Sequence, residues 1–130
     1  MRSKSMPDPS TARDHFAWQR VQAQDRFCKI TSDSGKPRGL VWEQIDFEDD
    51  MQLARDVNDG HLLGLVAITI RFSAVPGGDM EEVEAVGNLR AATAVFLWDG
   101  DQWNTAGRVV FNLSPVETIQ HFAHELESVQ

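Results

Sequence analysis

The sequence predicts an α+β domain: an antiparallel sheet of about four strands with helices packed mainly on one face, in the order α-β-α-β-β-β-α. Three observations predict it. Residues 61–73, HLLGLVAITIRFS, alternate with strong β-branched content, which is the period of a strand. Two β-rich runs flank Asp99-Gly100-Asp101-Gln102 and so form a hairpin. A helix-opening signature, Ser114-Pro115-Val116-Glu117, follows them.

Taken in chain order, residues 1–10 contain Pro7 and Pro9 without apolar periodicity and read as a flexible tail. Residues 11–28 read as a helix with Phe16, Ala17, Val21, Phe27 and Cys28 on one broad face. Arg13, Arg20 and Gln24 interrupt that face, and Trp18 points elsewhere. The turn-rich run TSDSGKPR separates this helix, as a peripheral element, from the rest of a single domain over 11–130. GLVWEQI at 39–45 reads as a short strand. Asp46 then offers an N-cap to a helix with Phe47, Met51, Leu53, Ala54 and Val57 on one side, stopped at Asn58-Asp59-Gly60.

The run 61–73 is a central strand with Leu62, Val66, Ile68, Ile70 and Phe72 on one face. Residues 80–90 fit either a short helix or a strand, with a lean towards strand. In the hairpin, a Gly100-Asp101 turn sets Trp98 opposite Trp103, with Phe96, Val109 and Phe111 on their face and Val95, Leu97 and Val110 on the other. Both faces of 91–98 are apolar, which places that strand inside the sheet or under a partner. The last helix buries Ile119, Phe122, Ala123 and Leu126.

Composition bounds the function. At 130 residues, 42% hydrophobic and 25% charged, the chain is of ordinary globular type and of one-domain size. A lone Cys28 excludes an intramolecular disulfide and suits a reducing, cytoplasmic setting. No apolar run is long enough for a membrane span. Residues 1–40 carry eight Lys/Arg against four Asp/Glu, a balance of +4; residues 41–130 carry four against sixteen, a balance of −12. The acidic body repels phosphates, so nucleic acid is an unfavoured partner, and any such contact would come from the N-terminal arm alone, through Arg2, Lys4, Arg13 and Arg20. Alternatively the basic arm docks on the acidic body, within one molecule or between two.

Signatures of chemistry are absent. There is no Walker loop, no G-x-G-x-x-G and no G-x-S-x-G elbow, and no cofactor is implied. His121 and His124, with Glu117, share one turn-spaced helix face, but they project opposite the apolar stripe and lack a second ligand cluster. Lys29 beside Cys28 could lower the thiol pKa, although a cysteine near a helix end is more often packing. These features point to a small non-catalytic binding protein that forms a homo-oligomer or binds another protein. Its interface candidates are Phe16, Trp18, Val95 and Leu97. The alternative is a small-molecule-binding domain or modest enzyme, with an aromatic pocket between sheet and helices lined by Trp42, Trp98, Trp103 and Phe111.

Overall fold

Strand alternation organises the sheet around residues 62–74. The computed structural model describes residues 9–34, 40–74, 76–78 and 89–129, with the side chains of 32–34 and 40–42 excepted. Its elements are α1 (Pro9–Ser34), β1 (Leu40–Asp56), β2 (Leu62–Ala74), β3 (Arg90–Trp98), β4 (Trp103–Asn104), β5 (Val109–Phe111), α2 (Pro115–His121) and β6 (Leu126–Val129). All strand pairs are antiparallel, in the order β4-β3-β2-β1-β6, and β5 also pairs with β3. The protein is thus α+β, with six strands among the described residues rather than about four. Among those residues the order is α-β-β-β-β-β-α-β, and most of the helix-or-strand segment 80–90 lies outside them.

The largest departure from the sequence reading is at 46–57, which is not a helix but the second half of β1. Phe47 pairs with Ile68 and Met51 with Val66, so four residues of β1 advance against two of β2. The bulge inserts two residues and preserves parity, leaving Ile45, Phe47, Met51 and Leu53 on the core side. That insertion gives a strand the i, i+4 spacing of a helix. An earlier bulge, between Trp42 and Gln44, shifts parity by one.

The even-numbered side chains of β2, namely Leu62, Val66, Ile68, Ile70 and Phe72, form the main core with Ala92, Ala94, Phe96 and Trp98 of β3. Helix α1 closes that core with Ala12, Phe16, Ala23 and Phe27, so it is integral to the domain and not peripheral. Trp103 fastens it. Its indole Nε1–H donates to the Ala12 carbonyl at 2.8 Å, and its backbone N–H donates to Gln19 Oε1 at 2.8 Å. The Phe16 ring meets Trp103 edge-on at 5.4 Å, and Phe27 packs between Phe47 and Phe96. Helix α1 also continues through 31–34, where a loop was expected. Thr31 is buried there, and its hydroxyl donates back to the Phe27 and Cys28 carbonyls at 3.0 and 3.1 Å.

The hairpin register is as the sequence predicts, with Trp98 opposite Trp103. Its second arm is interrupted, however, between β4 and β5. Gly107 sits there at φ 78°, and a Cβ on it would come within 2.6 Å of Ile30 in α1. Thr105 bridges the gap by donating to the Val95 carbonyl at 2.9 Å.

A smaller core lies on the opposite side of the sheet, where Ala54, Leu65 and Val95 are covered by Leu63, Val110, Ile119 and Leu126. The two helices therefore occupy opposite faces, against the expectation of one. Ser114 caps α2 as anticipated, with the reciprocal Glu117 bond in place. The helix stops at His121 instead of running to 126. The Phe122–Glu125 turn then lets Leu126–Val129 pair with Leu53–Asp56 of β1.

Candidate functional site

Helix α1 divides its residues between two jobs. At 100° per residue, Phe16, Ala23 and Phe27 cluster on one side, and Trp18 falls on the opposite one. Trp18 is 88% exposed and Val21, one turn on, is 80% exposed, with exposed Ala17 beside them. Val21 therefore does not belong to the buried face assigned to it from periodicity. A surface tryptophan this open is unusual, because the ring carries the largest apolar area of any side chain.

The flanks of the inner face are held by charge. Arg13 donates to the Met51 carbonyl at 3.1 Å, and Arg20 donates to the carbonyls of Glu48 and Asp49, the latter at 2.8 Å. Arg20 also stacks over Phe16, 5.4 Å from its centroid, and lies 4.0 Å from the Asp49 carboxylate. Arg13 and Arg20 of the basic arm thus dock on the acidic strand within one molecule. Of the four cations named for a nucleic-acid contact, Arg13 and Arg20 are committed to the bulge of β1.

The other sequence-derived candidates are scattered. Phe16 is buried in the core; Val95 is buried in the smaller core beneath α2; Leu97 is partly exposed on the same side. Trp98 and Trp103 touch at 5.3 Å and are both buried, whereas Phe111 lies opposite Ala92, partly exposed. The Trp42 side chain falls outside the described residues, although its backbone pairs with Phe72. Helix α1 packs on the face of the sheet that carries Trp98 and Trp103.

Polar groups are mostly used locally. His61 Nδ1 lies 3.1 Å from Asp59, and beside it a groove of about 220 Å³ runs along Leu97, Trp98 and Asp99. The Asp99 carboxylate accepts the amides of Asp101 and Gln102 and the Asn104 side chain, which hold its pKa below the ordinary aspartate value. Cys28 is half-buried; desolvation, helped by nearby Asp25, raises its thiol pKa. Lys29 reaches instead towards Asp25 at 3.9 Å. His121 and His124 are both exposed, and among the described residues no three His, Cys, Asp or Glu side chains converge to hold a metal. A second groove, of about 300 Å³, lies over Ala67, Thr69 and Ala91, with Glu48 and Glu117 among its lining residues.

No helix among the described residues is long and apolar enough to cross a membrane. Compared with known protein families, curated proteins and solved structures, the chain matches no family model, no curated protein and no solved structure.

Proposed function

We propose that the chain is a non-catalytic interaction protein that self-associates through the outward face of α1, with Trp18 as anchor. The observation that carries this reading is the exposure of Trp18 and Val21 on a helix whose other side is locked into the core. Tryptophan is the residue type most enriched at binding hot spots, and a rigid helix presents it at little entropic cost. Two α1 helices laid antiparallel about a dyad between Val21 and Gln22 bring Asp14 of each copy opposite Lys29 of the other, which also lies 3.9 Å from Asp25 of its own helix.

The association is weak. Even complete burial of Trp18 and Val21 from two copies removes only ~600 Å² of apolar area from water, less than half of what a standard-size stable interface buries. Loss of rigid-body freedom and side-chain ordering opposes that gain. The dissociation constant is accordingly in the micromolar range.

The test is sedimentation velocity from about 5 to 500 μM, spanning that constant. The side chain is replaced and the helix kept, because Phe16 and Phe27 belong to the core. Wild-type protein should shift towards dimer across the range and Trp18→Ala should stay monomeric. Identical behaviour of the two would reject this surface as the interface.

A further inference from the structure

Beyond the α1 face, the open edge of β1 offers a second and different binding surface, and we infer that it takes up an extended, basic segment of another polypeptide as an added antiparallel strand. β1 pairs with β2 along its length, but on its other side β6 covers only Leu53–Asp56. Among the described residues the stretch Leu40–Phe47 is therefore a terminal edge, about 26 Å of strand at 3.3 Å per residue. An edge of that length presents main-chain donors and acceptors ready for another strand.

Charge selects the occupant. Glu43, Asp46, Glu48, Asp49 and Asp50 are all exposed along or just beyond this edge, and no Lys or Arg occurs in β1 before Arg55. Arg20 lies 4.0 Å from the Asp49 carboxylate, Glu43 accepts from Ser73 Oγ at 3.0 Å and Arg71 of β2 stands opposite Gln44, so five carboxylates meet two arginines and the balance of the edge stays acidic. A second copy of β1 would set carboxylates against carboxylates, which disfavours the self-pairing that an open edge otherwise invites. A strand bearing lysine or arginine at alternate positions meets the same edge with opposite charge. The edge is thereby closed to its own kind and open to a basic partner.

The probe is a fluorescein-labelled octapeptide alternating lysine and valine, titrated with the full chain by fluorescence anisotropy at low and physiological salt. Two comparisons accompany it: the same peptide with alternate amides N-methylated, which keeps the charge and removes the strand's donors, and the Asp46→Lys/Glu48→Lys protein. At least tenfold weaker binding is expected in each comparison. Equal binding of the N-methylated peptide would overturn the inference, because charge alone would then hold the ligand. Absence of binding at low salt would overturn it as well. Binding that emerges only after removal of residues 1–8 would assign the edge to the chain's own Arg2 and Lys4 segment, against a separate partner.

Discussion

Trp103→Phe isolates the fastening of α1 to the sheet. The substitution removes the indole N–H that donates to the Ala12 carbonyl at 2.8 Å and shortens a side chain only 2% exposed. Loss of a buried hydrogen bond costs about 1 kcal/mol. The carbons removed, and the void left between Phe16 and Trp98, cost about a further 1–2 kcal/mol. The sum is about 2–3 kcal/mol. With ~2.1 cal/mol/K of unfolding entropy per residue, that lowers the melting temperature of a 130-residue domain by about 7–11 °C. Trp18→Phe makes the same chemical change on the opposite side of the same helix, where it should alter stability by less than about 0.5 kcal/mol. Both are read by thermal and urea unfolding at a protein concentration low enough to keep the chain monomeric. If Trp103→Phe is no more destabilising than Trp18→Phe, the division of α1 into a buried and an outward face is wrong.

Gly64→Ala should cost about 1–3 kcal/mol in urea unfolding, since its Cβ would meet Met51 Sδ at 2.6 Å and the Trp103 ring at 3.0 Å. Cys28 should react slowly with iodoacetamide at pH 7, because its raised thiol pKa leaves little thiolate; labelling as fast as free cysteine would contradict its placement. Asp99 has a lowered folded-state pKa, so its stabilisation is present above the ordinary aspartate pKa and is lost as pH falls through the folded value. The stability gap between wild type and Asp99→Asn should therefore narrow as pH drops below about 4, and a gap that widens would contradict that sign.

What was legible in the sequence was local. The alternation of 62–72, the Trp98–Trp103 register and the Ser114 capping box each depend on residues a few positions apart, and each occurs as read. What failed depends on distant partners. The bulge between Phe47 and Met51 is set by pairing with β2, and its two extra residues make Phe47, Met51 and Ala54 imitate a helical stripe. β6 is four residues long and forms a strand only because Leu53–Asp56 is there to pair with it. On α1 the inner face carries small Ala12 and Ala23 and is flanked by Arg13 and Arg20, so its apolar stripe is thin on a helical wheel. The arginines sit beside the buried face because β1 supplies carbonyls for them, and a sequence shows the carboxylates of that strand but not its bulge. The exposure of Trp18 was readable from its angle alone, whereas the companionship of Val21 required the true face to be known.

The most direct test of the outward face is the set of tryptophan indole N–H resonances, followed by ¹⁵N NMR as the protein is diluted from about 500 to 5 μM across the expected dissociation constant. The Trp18 indole, with the amides of Ala17 and Val21, should move in fast exchange, while those of Trp98 and Trp103, buried beneath the opposite side of α1, should stay fixed. A Trp18 signal unmoved by dilution, or a shift confined to other residues, would contradict the account.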